Sequence, residues 1–69
     1  MEIGNRKKDL GGKIREARKA AKLSQEKLGQ LIDVRKDYIS RLENGYINPS
    51  FEFLWKLADA LNIDIKLFL

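Results

Sequence analysis

Cysteine and histidine are both missing from this 69-residue sequence. Their absence excludes disulfide bonds, thiolate or imidazole metal ligands, and any Cys–His or Ser–His nucleophile pair. A chain of this length also buries only about 60% of the surface that its unfolded form exposes, which leaves little core in which to shape a pocket. We therefore expect that the protein is not an enzyme, that it has no catalytic residues, and that it binds no metal, cofactor or small-molecule substrate.

Long apolar runs are missing as well. No segment approaches the ~18–20 apolar residues that cross a bilayer, and the N-terminal MEIGNRKKDLGG lacks the apolar core of a signal peptide. The lack of cysteine fits a reducing compartment. These features predict a single soluble domain in the cytoplasm, without membrane contact.

Positive charge is concentrated in the first part of the chain. Residues 6–27 hold nine Lys/Arg against three Asp/Glu, whereas the later residues are nearly balanced. This excess favours a polyanionic partner, although a solvated lysine-rich helix face would give the same count. Residues 1–8 show no periodicity, so we predict a flexible basic arm there and a domain at residues 9–69. The arm is either a disordered tail or a segment that contacts phosphates or a DNA minor groove.

The stretch from Leu23 to Gly45 predicts two short helices joined by a tight turn. Ser24 can cap the first helix. Asp33 suits the turn because Asp tolerates left-handed backbone conformations. Apolar residues at helical spacing form the expected inner faces, namely Leu28, Leu31, Ile32, Val34, Tyr38, Ile39 and Leu42. The opposite side of the second helix carries Lys36, Asp37, Ser40, Arg41 and Asn44.

Two helices at a steep angle joined by a short turn form the helix-turn-helix motif, whose second helix enters the major groove of DNA. Ahead of the motif, a helix is expected from about Asp9 to Lys22. Its start lies nearer Lys13 if Gly11 and Gly12 weaken the first turn. Its inner face would carry Leu10, Ile14, Ala17 and Ala21.

Arg18 falls beside the inner face of this first helix, an unfavourable position for an unpaired charge. A buried guanidinium needs a carboxylate partner, because leaving it unpaired costs several kcal/mol. Glu43 borders the inner face of the third helix and is the partner that we expect. The alternative is that both side chains extend to solvent.

The C-terminal third predicts a fourth helix, Phe51–Leu61, capped by Ser50, and a last short turn capped by Asp64. The apolar set of the fourth helix is Phe51, Leu54, Trp55, Leu57, Ala58 and Leu61. Phe53 falls on its outward side, and the chain ends on apolar residues, which together suggest a partner surface. We expect a homodimer interface formed by Phe53, Leu67, Phe68 and Leu69. Alternatively, Phe53 is an incidental surface aromatic and the last three residues cap the core.

Three segments resemble the Cro/C1-type helix-turn-helix family, also called the xenobiotic-response-element type: KIREARKAAKLSQEKL, VRKDYISRLENG and NPSFEFLWKLADALNI. They cover about residues 13–65. The resemblance implies an all-α, compact five-helix, lambda-repressor-like domain that binds operator DNA as a dimer and regulates transcription. The chain departs from the family at Gly29, where alanine is usual, at Asp33, where glycine is common, and at Arg35, where a Ser/Thr cap is common.

The resemblance also implies roles for individual residues. Base contacts are expected from Lys36, Asp37, Ser40 and Arg41. Contacts to the DNA backbone are expected from Ser24, Gln25, Arg35, Tyr38 and Asn44. Two of these assignments have alternatives, since Asp37 could merely complement the helix dipole and Tyr38 could be partly buried. Arg18 and Glu43 match a pair that the family often joins as a buried ion pair.

We therefore expect a sequence-specific regulator of transcription that binds double-stranded DNA, with repression favoured over activation. As a homodimer it would read a pseudo-palindromic operator by placing the third helix in the major groove. Arg41 and Lys36 would donate to guanine, and Asp37 could accept from cytosine N4. The competing hypothesis is a protein-interaction module that acts through Phe53 and the apolar C-terminus.

Overall fold

The computed structural model describes the backbone of residues 3–69 and the side chains of residues 7–69. Its regular elements are α1 (Ile3–Ala20), α2 (Gln25–Ile32), α3 (Lys36–Glu43), α4 (Phe51–Leu61) and a 3₁₀ helix (Ile65–Phe68). The all-α prediction is confirmed for these residues, but the expected count of five α-helices is wrong. The last element is a 3₁₀ helix because its four residues are bonded at a spacing of three, as in the 3.0 Å bond from the Leu67 N–H to the Asp64 carbonyl.

The start of α1 lies earlier than predicted. The backbone is helical from Ile3 onward, although residues 1–8 were expected to be a flexible arm and the helix was expected to start near Asp9. Residues 1 and 2 of that arm lie outside the described residues. The boundary between an arm and a domain, and any contact of the arm with DNA, stay predictions.

Gly11 explains why the expected weak point does not break α1. A Cβ at this position would lie 2.4 Å from the carbonyl oxygen of Glu43 and 2.7 Å from that of Leu42. The missing side chain therefore allows α1 to pack directly on the last turn of α3. Tertiary contact outweighs the low helix propensity of glycine, which is only about 1 kcal/mol per residue.

The predicted helix caps are present. Ser24 Oγ accepts the Lys27 backbone N–H at 3.0 Å, and Ser50 Oγ accepts the Phe53 N–H at 3.1 Å. Asp64 caps the 3₁₀ helix in the same way through the Lys66 N–H, at 2.9 Å. These local hydrogen bonds satisfy backbone donors that the first turn of a helix leaves unpaired.

The turn between α2 and α3 is made by Asp33, as expected from its tolerance of left-handed backbone. Asp33 has φ 59° and ψ 47°, and its N–H bonds to the Gly29 carbonyl. Gly29 is buried, and a Cβ there would lie 2.5 Å from the Val34 carbonyl oxygen. The small residue thus lets the chain turn back closely on α2.

One apolar cluster joins the helices, and its fully buried members are Ile14, Leu28, Ile39, Leu42 and Leu57. Four residues expected to face inward are instead exposed, namely Ala21, Leu31, Phe51 and Trp55. Phe51 and Trp55 share one face of α4 and pack on each other edge to face, with ring centroids 6.1 Å apart. The apolar stripe of α4 is therefore wider than the face that the neighbouring elements cover.

Candidate nucleic-acid interface

One side of α3 is polar and open to solvent. Lys36, Asp37 and Arg41 are exposed, and Ser40 is half-buried on the same side. Their spacing of three and four residues places them in adjacent turns of one helix face. The opposite side is anchored in the core by Ile39 and Leu42, which are 0% and 1% exposed.

The N-terminal end of α3 has no side-chain cap. Arg35 holds the cap position with an extended backbone, φ −76° and ψ 152°, and makes no capping hydrogen bond through its side chain. Its carbonyl accepts the N–H groups of Tyr38 and Ile39 at 3.0 and 3.3 Å. The Arg35 side chain is exposed, so the guanidinium adds positive charge beside the start of α3.

The C-terminal end of α3 is held by a buried ion pair. Arg18 Nε donates to Glu43 Oε2 at 2.6 Å, and Arg18 Nη2 donates to Oε1 at 3.1 Å. The third nitrogen, Nη1, donates to the Leu23 carbonyl at 2.8 Å. With 9% of Arg18 and 3% of Glu43 exposed, the expected pair lies inside the molecule, and both charged groups have hydrogen-bonding partners.

Gln25 and Arg15 also donate to the Glu43 carboxylate. Gln25 Nε2 lies 3.1 Å from Oε1, and Arg15 Nε lies 3.4 Å from the same oxygen. Burial by itself raises the pKa of Glu43, but hydrogen bonds from Arg18, Gln25 and Arg15 and the charge of Arg18 together lower that pKa below its ordinary value. The hydrogen bond from Arg18 to Glu43 raises the pKa of Arg18, so both members of the pair are ionised.

Arg15 extends this network to the surface. Its Nη2 donates to Asn44 Oδ1 at 3.0 Å, and Asn44 Nδ2 donates to the Ser40 carbonyl at 2.9 Å. Arg15 was not among the site residues predicted from the sequence. A signal was present, because Arg15 stands three residues before Arg18 and so shares its helix face.

Tyr38 and Phe53 pack on each other beside the core. Both are half-buried, and their ring centroids lie 5.2 Å apart in an edge-to-face arrangement. Phe53 was expected on the outward side of its helix, which is wrong, because Tyr38 of α3 covers it. The partial burial considered for Tyr38 is present.

The four residues assigned to a dimer interface do not form one exposed surface. Phe68 is a core residue with 5% exposure, whereas Leu67 and Leu69 are exposed. The assignment of Phe68 to a partner surface is therefore wrong. Residues of a 3₁₀ helix three apart share a face, so Phe68 follows the buried Ile65 into the core.

Within residues 7–69, whose side chains the structure describes, no group of three or more His, Cys, Asp or Glu side chains could hold a metal ion. Over residues 3–69, no helix has both the length and the apolar character needed to cross a membrane. The geometry is that of a helix-turn-helix: two short helices joined by a left-handed residue, with the second one presenting a polar face.

Comparison with known proteins agrees with this geometry. A family model described as helix-turn-helix matches residues 14–68, and the chain belongs to this family, in its Cro/C1-type form. The prediction of a DNA-binding transcriptional regulator is thereby confirmed.

Relatives of known sequence are similar over most of this chain. The ImmF control region 10 kDa protein of Bacillus phage phi105 is 32% identical over 59 residues, which are 86% of this chain and 66% of the phage protein. An HTH-type transcriptional regulator of Archaeoglobus fulgidus is 35% identical over 54 residues, which are 78% of this chain and 76% of that protein. The similar region therefore leaves part of each relative unmatched.

The fold is also similar to a solved structure over its whole length. The restriction-modification controller protein C.AhdI of Aeromonas hydrophila superposes with a TM-score of 0.93, at 32% identity and with 100% of both chains covered. These three proteins are described as a control region protein, a transcriptional regulator and a controller protein.

Proposed function

We propose that this chain represses transcription by binding a pseudo-palindromic operator as a homodimer. α3 would lie in the major groove of double-stranded DNA. The observation that carries the proposal is the exposed polar face of α3, whose opposite side is fixed by buried apolar residues and the Arg18–Glu43 pair. We also propose that the protein is cytoplasmic, because it must be in the same compartment as the operator DNA that it binds.

Base recognition is assigned to the exposed residues of α3. Arg41 and Lys36 would donate to guanine O6 and N7, Asp37 would accept from cytosine N4, and Ser40 would bond to a neighbouring base. Arg41→Ala should therefore cost about 1–3 kcal/mol at one base pair of each half-site and relax selection there. Unchanged discrimination in a binding-site selection would remove Arg41 from this role.

Backbone contacts are assigned to residues around the two helix starts and the end of α3: Ser24, Gln25, Arg35, Tyr38 and Asn44. Such contacts fix the register of the protein on DNA but carry no base information directly. The Ser24 oxygen is occupied by capping, so its O–H remains to donate to a phosphate. Gln25→Ala should weaken binding to all sequences alike, and a base-selective loss would contradict this assignment.

A dimer would place two recognition helices about 34 Å apart, one helical turn of DNA. Leu67 and Leu69, with Phe53 at the edge of the core, are the proposed contact. The exposed pair Phe51 and Trp55 is a competing apolar surface on α4. Sedimentation equilibrium of Leu67→Lys and, separately, Trp55→Lys decides between the two, because the variant at the true interface becomes monomeric.

The main experiment is selection from a random-sequence DNA pool across a salt series, followed by a reporter gene placed behind the enriched sequence. An enriched pseudo-palindrome, a steep fall in affinity with salt and reduced reporter output are expected. Salt-sensitive binding without enrichment would contradict base reading. Absence of binding at low salt would favour a protein-interaction module, the competing hypothesis, and the Phe51–Trp55 surface would then be the first to test.

A further inference from the structure

Arg15 differs from Arg18 although both are bound to the same carboxylate. The Arg18 side chain is 11% exposed and uses all three of its nitrogens within the fold, whereas the Arg15 side chain is 38% exposed. The two hydrogen bonds of Arg15, to Glu43 and Asn44, use two of the five N–H groups of a guanidinium. The rest of its donor capacity is available at the surface.

The charges of this cluster do not cancel. Glu43 is neutralised by Arg18, its closer partner at 2.6 Å, so the charge of Arg15 at 3.4 Å is in excess. That excess charge sits on the solvent side of the pair. A partly exposed cation that a buried acceptor holds in place is suited to bind an anion, because fixing its position costs little further side-chain entropy.

Two amides flank this cation. Gln25 Nε2 and Arg15 Nε donate to the same oxygen of Glu43, and Asn44 Oδ1 accepts from Arg15 Nη2. Because Asn44 Oδ1 accepts from Arg15, its Nδ2 is set as the donor end of the amide. Each amide nitrogen carries two hydrogens, and one of each pair is used within the fold.

We propose that Arg15, Gln25 and Asn44 form a single anion-binding site for one DNA backbone phosphate. This inference rests on the proposed function and deepens it. Arg15 supplies the full charge of the site, and Gln25 and Asn44 supply neutral donors. Arg15 also positions Asn44, so the site is assembled by α1, α2 and the end of α3 before DNA arrives.

The test measures binding of a duplex of about 30 random base pairs as a function of salt concentration, since one lost phosphate contact lowers the salt slope by about 0.9. Arg15→Gln should lower the slope by that amount and weaken binding to all sequences by a similar factor. The matched control, Lys66→Gln, removes the same charge from the exposed side of the 3₁₀ helix and should leave the slope nearly unchanged. Equal slopes for the two variants would overturn the inference.

Failure of the proposed function has a different signature, because the unchanged protein would then bind no duplex at low salt. A merely structural role for Arg15 is distinguished by Arg15→Lys, which keeps the charge but not the forked geometry. If Arg15 binds a phosphate, Arg15→Lys should preserve the salt slope and weaken binding about threefold to tenfold, which is the effect expected from one weakened hydrogen bond. Thermal unfolding of each variant shows that it is folded during the binding measurement.

A double-mutant cycle tests whether Arg15 and Asn44 act as one site. Asn44→Ala should weaken binding, and adding Arg15→Gln should cost less than it costs in the unchanged protein, because each substitution disables the same phosphate contact. Fully additive losses would mean that the two residues hold separate phosphates, which would overturn the single-site inference.

Discussion

The two ends of α3 are built in opposite ways. At the C-terminal end, Glu43 is buried and receives hydrogen bonds from Arg18, Gln25 and Arg15, while the last carbonyls press against Gly11 of α1. At the N-terminal end, the cap residue is an exposed arginine without a capping bond. The helix is thus anchored at one end and open at the other.

Under the proposed function, the anchored end of α3 positions the helix, and the open end contacts the bases. A recognition helix contacts bases mainly through its N-terminal residues, and here that end carries the exposed Lys36 and Asp37. Polar side chains there remain free for DNA because the fold does not use them. The C-terminal end of α3 supplies the anchoring, because the buried Arg18–Glu43 ion pair holds the helix against α1.

Removing the negative charge of Glu43 should have the largest effect on stability. Glu43→Gln keeps the shape of the side chain but leaves the buried Arg18 guanidinium without a negative partner, a loss of about 3–5 kcal/mol. Domains of this size have a total stability on the order of 4–10 kcal/mol, so urea unfolding should show a largely destabilised protein. Glu16→Gln, at an exposed site on α1, is the matched control and should stay within about 0.5 kcal/mol.

Low pH should weaken the Arg18–Glu43 ion pair without any substitution. A carboxylate whose pKa is lower in the folded state stabilises the fold above its ordinary pKa and loses that contribution as pH falls through the folded value. The free energy of unfolding should therefore fall as pH drops below 4.5, the ordinary pKa of Glu43. Titration of the Glu43 carboxyl by NMR checks the direction, and a midpoint above 4.5 would mean that burial outweighs the hydrogen bonds.

Adjacent glycines allow a sharper test of the α1–α3 contact. Gly11→Ala would place a Cβ against two carbonyls of α3, and such overpacking costs about 1–3 kcal/mol. Gly12→Ala has open space, with no atom within 4 Å of the added Cβ, and should stabilise the helix by about 0.5–1 kcal/mol. Thermal unfolding of both variants decides, since equal shifts would show that helix propensity alone matters.

Substitution of Arg35, at the uncapped N-terminal end of α3, should change the stability least, and it should raise the stability instead of lowering it. Arg35→Ser supplies a hydroxyl that can accept an N–H of the first turn of α3, a gain of about 0.5–1 kcal/mol. The same change should weaken DNA binding by removing a cation near phosphates. Arg35→Ala separates the two effects, because it removes the charge without adding a cap. A Ser variant no more stable than the Ala variant would show that the end needs no cap.

Local features of the fold followed from the sequence. The caps at Ser24, Ser50 and Asp64 and the left-handed Asp33 involve residues only a few positions apart, so the side chain and backbone geometry decide them. The partners Arg18 and Glu43 could also be expected, because a charge beside an apolar face needs an opposite charge. They lie 25 residues apart and bond at 2.6 Å.

Expectations failed where burial depends on which elements meet. Phe53 was placed outside and lies under Tyr38, Phe68 was placed on a partner surface and lies in the core, and Phe51 and Trp55 were placed inside and are exposed. Helical periodicity shows that such residues share a face, but not which faces of neighbouring helices cover it.

By itself, the sequence determined α2, α3 and α4, the caps at Ser24, Ser50 and Asp64, the turn at Asp33, the polar face of α3 and the charge that suits DNA, because each depends on neighbouring residues or on composition. Only the tertiary structure decided that Gly11 is a helix contact and that Arg15 donates to the buried carboxylate of Glu43, 28 residues away. The physical reason is that close packing between distant segments depends on the relative placement of whole helices, which no local pattern specifies.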